Sequence, residues 1–576
     1  MGASDAPSWI VLGRTERGVA AIRLDATAGE LGRDDVAGAE LASWVADAED
    51  RWTPRWVWHD TPQWYGDLLA AGVRIARCHD LRLCHAILRD SALVADAAAV
   101  RRAREWDAAP HVDADVAAPA LFDLDDARRP SGPPGDADSA LAEFARQRDA
   151  IAAGREPGRL RLLTAAESAG ALVAAEMRAA GLPWDAEAHD RILVETLGER
   201  RPGGAQPTKL AAAADRVRAA LGDPAASLDS QPKLLRSLHR VGVMVESTSR
   251  WELAEQRHPV IEPLLEYKKL SRLLSANGWT WLSDWVDDGR FRPVYVPGGV
   301  VTGRWASSGG GALQLPRQLR EAVRADPGWR LVVADVAQLE PRVLAAMSGD
   351  TALAAAARGR DLYAGIVESG AVATRQEAKI AILGAMYGAT TGESGRLVPR
   401  LRRAYPRAMG LVDDAARTGE DGGIVSTWLG RTSPAPSPEW SAAQSRATEA
   451  EASGAEETRA RRWARDRGRF TRNFVVQGTA AEWALAWLAD LRGRLAALEP
   501  VAPERAAPRS GPAFARKPHL ALFLHDEVIV HTPEEHADAA AQAVTDAAAA
   551  AGRLLFGDFP LDFRLDVRIA ETALKD

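Results

Sequence analysis

The sequence predicts an α+β chain of several domains, and three observations lead there. The chain has 576 residues, 47% of them hydrophobic, enough to bury more than one core. Short apolar runs alternate with helical Ala/Leu/Arg segments in the first part, whereas helices dominate from Leu162. Two acidic clusters, each beside an apolar strand-like run, flank a helix candidate that carries a lone lysine.

Bulk properties narrow the setting. No apolar stretch is long enough to span a bilayer, and Met1 to Pro7 lacks the basic-then-apolar pattern of a secretory signal. Cys78 and Cys84 are the only cysteines, too few for a disulfide framework or a cysteine zinc site, so a cytoplasmic location is expected. Net charge is −7, which argues mildly against a polyanionic partner. Its distribution argues the other way. Arg396, Arg400, Arg402, Arg403 and Arg407 share a window without an acid, and Arg459 to Arg472 holds seven arginines against Asp466 alone. Each run by itself reads as a solvated helix face; placed on both sides of one segment, they predict a phosphate-facing surface. The chain uses 65 arginines but only seven lysines, and Lys379 is the single lysine between Lys269 and Lys517.

In chain order, residues 1–160 read as an α/β domain with apolar runs such as Ile10-Val11-Leu12 and Trp56-Val57-Trp58. The domain ends in a Pro/Asp/Gly-rich stretch, Ala108 to Ala140, expected as a loop. Helices are predicted at Ala165 to Ala180, Ala186 to Leu197 and Ile261 to Ser275. Near Arg290 the pattern turns to strands. After the run Leu331-Val332-Val333-Ala334 it is helical to about Tyr405. A Ser/Pro/Ala/Glu-rich tract, Thr432 to Glu457, predicts a flexible insertion. A helix around Arg461 to Leu491 follows, then a linker from Glu499 to Pro518 and the strands around Asp526.

Three clusters carry the chemistry. Asp335-Val336-Ala337-Gln338-Leu339-Glu340 ends the first apolar run, and His525-Asp526-Glu527 sits between Leu520 to Leu524 and Val528 to Val530, the layout of a hairpin with a charged tip. Either aspartate alone would read as a turn residue. Two strand-end carboxylates together suit a pair of divalent ions about 3.5–4 Å apart, the arrangement used for phosphoryl transfer to a hydroxyl. Magnesium, with its preference for carboxylate and phosphate oxygen, is the expected ion, with Mn²⁺ as a possible substitute. Arg375, Lys379, Leu383 and Tyr387 recur every four residues. Each such step turns about 400° around a helix, so all four line one slowly spiralling face. Two cations, an apolar residue and a tyrosine make a ladder for phosphates, sugar and base. The alternative is an amphipathic helix with a solvated cationic end. Arg461, Arg465, Arg469, Asn473 and Gln477 form a second four-residue stripe, whose amides suit groove or template contacts.

At these residues the chain resembles the family A DNA polymerases. Asp335 to Arg342 is similar to that family's first palm motif, Arg375 to Gly388 to its fingers helix, and His525-Asp526-Glu527 to its last palm motif. Thr302-Gly303-Arg304 resembles the start of the primer-gripping segment; Arg469, Asn473 and Gln477 match a further helix; Glu266 to Leu270 resembles a thumb segment. The resemblance implies a right-hand architecture of palm, fingers and thumb, preceded by an RNase H-like 3′–5′ exonuclease domain. The implied division is 1–160 exonuclease-like, 161–300 thumb and start of palm, 301–350 palm, 351–472 fingers with the insertion 432–457, and 473–576 palm.

The resemblance also implies roles. Asp335 and Asp526 would hold the two metal ions, with Glu527 in support. Arg375 and Lys379 would grip the triphosphate, with Lys379 as proton donor to pyrophosphate. Gln338 and Leu383 would line the nucleotide, Tyr387 would stack at the templating position, and Glu340 would act as steric gate against a ribose 2′-hydroxyl. Arg304, Gln477 and His525 would touch the primer end, with Arg469 and Asn473 also on DNA. The implied partners are primer-template DNA and dNTPs, with no membrane, for a monomer of the bacterial cytoplasm associated with the nucleoid.

Several positions depart from the family pattern. Leu383 stands where an aromatic residue is usual, Ile382 for an asparagine, Ala337 for a serine, Pro341 for an aliphatic residue, and Gly309 to Ala312 for an asparagine-bearing turn. Losing the aromatic ring removes stacking worth about 1 kcal/mol. The Asp-x-Glu that proofreading needs is missing from Ile22-Arg23-Leu24-Asp25-Ala26-Thr27, and Asp60 and Asp80 complete no set, so an inactive proofreading domain is expected. From the length, no added 5′-nuclease domain is expected. The rivals are a single-subunit RNA polymerase, against which Glu340 and Glu527 argue, and a catalytically idle DNA-binding protein of the same fold.

Overall fold

Near the N-terminus, runs rich in aromatic and β-branched residues form one sheet. Its strands are β1 (Trp9–Thr15), β2 (Gly18–Leu24), β3 (Glu30–Ala37), β4 (Arg55–Trp58) and β5 (Arg77–Asp80). They are ordered β3-β2-β1-β4-β5, with β1 antiparallel to β2 and parallel to β4. Helix α1 (Pro157–Ala180) packs on β5 and continues this domain well past residue 160. The computed structural model describes residues 6–108, 132–311, 315–389, 392–449 and 451–574. Most of the expected loop Ala108 to Ala140 therefore lies outside the described residues, although its last residues begin the helix Ala137–Ala152.

The chain divides into two units. One comprises Met1–Gly181, Pro293–Leu313 and Asp326–Glu571; the other comprises Leu182–Arg292, Gln314–Ala325 and Thr572–Asp576. In the second unit, helices Ala186–Leu197, Thr208–Leu221 and Ile261–Asn277 surround a core in which Trp184, Trp281 and Phe291 meet edge-on or tilted. The division cuts the expected 161–300 segment at Gly181. Helix α1 stays with the first unit because its buried face, including Leu172 and Ala180, belongs to the core of the N-terminal sheet.

Within the first unit, β6 (Val294–Val296) and β7 (Ala306–Gly309) form a hairpin ahead of a second sheet. That sheet is built from β8 (Trp329–Val336), followed by helices α2 (Leu339–Ser348), α3 (Leu362–Glu368), α4 (Arg375–Tyr387), α5 (Pro406–Glu420), α6 (Pro438–Ala447) and α7 (Gly454–Ala496). Strands β9 (His519–Leu524) and β10 (Glu527–Pro533), helix α8 (Ala537–Phe556) and β11 (Leu565–Ala570) complete it. The sheet order is β9-β10-β8-β11, antiparallel throughout. Strand β8 is internal to the sheet and apolar from Leu331 to Ala334, as expected of a strand covered on both faces.

A single hydrophobic core ties α2 to α5 and α7 together, through Leu344, Ile366, Ile382, Met386, Val412 and Val475 among others. Ile382 is fully buried there, so it serves packing rather than any ligand. The tract 432–457 differs from the flexible insertion expected of it. Ser437 caps α6 with Pro438 in its first turn, Ala443 is buried, and the Trp440 indole donates to the Trp463 carbonyl of α7 (3.2 Å). A capping box, Ser453 with Glu456, then starts α7 seven residues before the predicted Arg461. Composition alone misses such a segment because its order comes from packing on α7.

The strand-to-helix turn after Asp335 is held from beneath by Arg342, which is fully buried. Its guanidinium donates to the carbonyls of Ala337 (2.9 Å), Ala357 (3.0 Å), Asp562 (2.8 Å) and Arg360 (2.7 Å). Arg342→Met removes the donor and strands four carbonyls, so a loss of about 3–5 kcal/mol is expected. Urea denaturation would read it as a lower midpoint at unchanged slope; an unchanged midpoint would mean the turn holds itself.

Candidate active site

Asp335 is the penultimate residue of β8, directly opposite Glu527 on β10 and Asp566 on β11. The Val336 amide donates to the Asp526 carbonyl (2.9 Å), which fixes the second acidic cluster beside the first. Asp526 itself lies in the two-residue turn between β9 and β10. Its amide donates back to the Leu524 carbonyl (2.8 Å) around His525 at φ 61°. That is the strained γ-turn geometry, rare for a side-chain-bearing residue. A second non-glycine residue at positive φ, Gln338 (53°), caps α2 just after Asp335. It is held by its own side chain, whose Nε2 donates to Asp361 Oδ2 (3.1 Å) while Oε1 accepts from the Leu362 amide (3.3 Å). Both outliers line one cleft, and such strain concentrates at working sites.

The cleft has a volume of about 300 Å³. Arg304, Gln338, Glu340, Leu383, Tyr387, His525 and Asp526 all line it, so seven of the sequence-predicted residues meet in one place. Ala480, Ala481 and Ala484 of α7 form a smooth wall. Glu340 pairs with Arg304 and accepts a hydrogen bond from the Tyr387 hydroxyl. Burial, reinforced by the Glu340 carboxylate, pushes the Tyr387 phenol well above its ordinary range, so it stays a donor. His525 is lowered by burial and by the nearby Arg304, which favours neutral imidazole.

Asp526 is raised to about 6, first by burial and then by the negative charge of Asp335. The Asp335 charge disfavours the ionised form of Asp526, and a bound cation would relieve that repulsion. Among the described residues no group of three or more His, Cys, Asp or Glu could hold a metal ion. A two-carboxylate set fits a hard ion that keeps water and takes substrate phosphate as its remaining ligands, which is the behaviour of magnesium. Glu527, buried on β10, shares the sheet face of Asp335.

Arg375 and Lys379 do not line the cleft but lie exposed on α4, on the turns preceding Leu383. Helix α4 forms locally: Thr374 and Glu377 make a capping box, and Gly388 at φ 72° ends it. Arg375 is engaged by Asp361, through Nε to Oδ1 (3.2 Å) and Nη2 to Oδ2 (2.8 Å), and its guanidinium lies 5.3 Å from the Tyr363 ring centre. Arg469 is exposed and abuts Gly388, where an added Cβ would stand 2.7 Å from Arg469 Cγ. Asn473 is half-buried one turn on. Gln477 accepts from the Thr302 hydroxyl (2.9 Å), which joins α7 to the Thr302-Gly303-Arg304 segment.

Two residues that sequence reasoning did not single out belong here. Tyr363 lines the cleft, is almost fully buried, and is pushed up to about 12 by burial and the Asp361 and Glu340 charges, against the opposing Arg375. Asp361 caps α3 while holding both Gln338 and Arg375. The available signal was an Asp two residues before one of only six tyrosines in the chain.

Behind the cleft wall, buried Glu482 accepts from the Thr427 hydroxyl and from the Leu429 amide (2.9 Å). Burial raises it to about 7 from an ordinary 4.5. The folded state therefore holds this proton more tightly than the unfolded chain, and stability is lost as pH rises from about 4.5 to 7. Glu482→Gln removes that loss. Its melting temperature relative to the parent should climb between pH 5 and pH 8, and a pH-independent difference would refute the assignment.

Comparison with known proteins shows the family. A profile described as DNA polymerase family A matches residues 233–572. DNA polymerase I of Chloroflexus aurantiacus is 30% identical over 368 residues, covering 59% of this chain and 35% of its own length. Thermostable DNA polymerase I of Thermus filiformis is 27% identical over 346 residues, covering 54% and 36%. The match thus spans about a third of the length of these curated relatives. The POL domain of Pol1 from M. smegmatis, solved in complex with DNA primer-template and dNTP, has a TM-score of 0.65 at 18% identity over 99% of this chain and 96% of that one, a likeness of fold. With the family profile matching more than half of its length, this chain belongs to DNA polymerase family A.

Proposed function

We propose that the chain is a template-directed DNA polymerase that extends a primer 3′-hydroxyl with dNTPs. The observation that carries this reading is the convergence of Asp335 and Asp526, 191 residues apart, at adjacent strand ends beneath a cleft bordered by α4. Asp335 and Asp526 would hold two magnesium ions, which when bound supply activation of the hydroxyl and charge neutralisation at the phosphates. The chain's own residues do the rest. Arg375 leaves Asp361 to pair with the triphosphate, a planar guanidinium exchanging one bidentate anion for another. Lys379, one turn along, delivers a proton to the departing pyrophosphate. Tyr387 closes the base end of the cleft, and Arg304 with Gln477 faces the primer end.

The neighbour solved with primer-template and dNTP supports the same partners for this chain. A monomer acting in the bacterial cytoplasm is part of the reading, and no helix among the described residues is long and apolar enough to cross a membrane. The N-terminal sheet is read as an exonuclease-like domain without proofreading. The segment Ile22 to Thr27 supplies the end of β2 and a turn, in which Asp25 is occupied by Thr27 and Gly29. Central β1 carries no acid, and the buried Asp60 and Asp80 are committed to Arg82 and to Thr61 and the Leu83 amide.

Primer extension with Mg²⁺ and either dNTPs or NTPs tests the reading; preference for NTPs, or no extension at all, would defeat it. Glu340→Ala opens the space beside the sugar. Ribonucleotide incorporation relative to dNTP should rise by roughly ten- to two-hundredfold, the range for one steric contact in a pocket. Competitive incorporation assays measure that ratio, and an unchanged value would place the gate elsewhere.

A further inference from the structure

One buried ion pair lies outside the cleft and takes no part in the chemistry above. Glu167, midway along α1, accepts through Oε2 from Arg431 Nη2 (2.6 Å). The carboxylate side chain is 1% exposed and the arginine side chain 13%. A buried pair of charges is weak evidence for stability, since well-packed apolar side chains often serve as well; its best-attested use is to fix one arrangement of the chain.

What this pair fixes follows from its neighbours. Residues 297–305 link β6 to β7 and bring Arg304 into the cleft wall. The back of that loop rests on the pair at two points. At Gly298 (φ 62°) an added Cβ would stand 2.6 Å from Glu167 Oε1, an oxygen with no hydrogen-bond partner among the described residues. At Gly303 (φ 87°) an added Cβ would stand 2.5 Å from Arg431 Nε. Glycine alone suits both the conformation and the close approach. On the front of the loop, Arg304 pairs with Glu340 and Thr302 donates to Gln477.

The pair is held in turn by the N-terminal domain. Helix α1, which supplies Glu167, packs on β5. The same domain clasps the segment carrying Arg431: the Ser91 hydroxyl donates to the Gly430 carbonyl (2.7 Å), and the Ala92 amide donates to the Thr432 hydroxyl (2.9 Å). From α7, Glu482 holds Thr427 and Leu429 of that segment.

We propose that Glu167 and Arg431 are positioning residues for the primer end, which set where Arg304 stands by backing the loop at Gly298 and Gly303. The N-terminal domain is then a working part of synthesis although it lacks proofreading acids. The proposal rests on the polymerase reading above and extends it to residues outside the cleft.

The test uses the full chain with Glu167→Met/Arg431→Met, an apolar pair that leaves no unpaired charge. Its urea midpoint should stay close to the parent's. Single-turnover primer extension at saturating dNTP should nevertheless slow about ten- to a hundredfold, the scale of a misplacement near 1 Å, with KM for dNTP within about twofold. In an Arg304→Ala background the same substitutions should slow extension by no more than about twofold, because the group they misplace is gone. Glu167→Gln keeps the side-chain shape and should lose rate in the same direction, which covers a methionine pair that fails to fold. A folded variant at the parental rate, a loss in KM alone, or losses that multiply with Arg304→Ala would each overturn the proposal. Failure of the parent to extend a primer would instead defeat the polymerase reading, so the two failures are distinguishable.

Discussion

Asp526→Ala should reduce primer extension by about three orders of magnitude or more. Each tenfold in rate corresponds to about 1.4 kcal/mol, and ions held at the reacting phosphate contribute several kcal/mol of charge stabilisation. Asp335→Ala should do the same. The two are expected to act as one unit: burial and then the Asp335 charge raise Asp526, and the Val336 amide ties the end of β8 to the Asp526 turn. The double variant should therefore be no slower than either single one. Primer-template affinity should stay within a few-fold of the parent, because the proposed phosphate contacts are arginines elsewhere. Single-turnover extension of a labelled primer, with anisotropy for binding, separates these effects. Losses that multiply in the double variant would mean the aspartates work independently and would remove the shared site.

Lys379→Arg is expected to lower the rate of chemistry about a hundredfold while leaving the KM for dNTP within a few-fold. The guanidinium keeps the positive charge but cannot release a proton, whereas an amine can, and general acid catalysis is typically worth 10²–10⁴. Lys379→Ala should lose both terms, raising KM as well. Arg375→Ala should act mainly on KM if, as proposed, it exchanges Asp361 for the triphosphate. Single-turnover rates across a dNTP series discriminate these patterns. A Lys379→Arg variant at the parental rate would confine the residue to charge. The sequence already hinted at this role, because the chain has arginine almost everywhere but lysine here.

Much of this site could be read before any coordinates, and for local reasons. Helix α4 is set by its own capping box and its four-residue spacing, so its ladder was visible in a stretch of thirteen residues. The hairpin around Asp526 follows from two apolar runs with a charged pair between them. Less legible were Tyr363, which lines the cleft, and Asp361, which holds Gln338; both owe their place to α3 docking beside Gln338 rather than to any spacing. Ile382 and Leu383 were flagged together as departures. Only packing separates them, one into the core and one into the cleft wall. The order of α6 on α7 was hidden by a composition that otherwise marks loops.

By itself the sequence determined the inventory: strand-end carboxylates, a cationic helix face, an arginine stripe and an apolar content sufficient for several cores. Those features depend on periodicities of two and about 3.6 residues and on caps a few residues long. Tertiary structure alone decided the register that sets Asp335 opposite Glu527, the strained turn at His525, and the contact of Arg469 with Gly388. A slip of one residue between β8 and β10 would send every side chain to the other face of the sheet. Nothing local forbids that slip; the distinct packing on each face of β8 and the Val336–Asp526 bond at its end do.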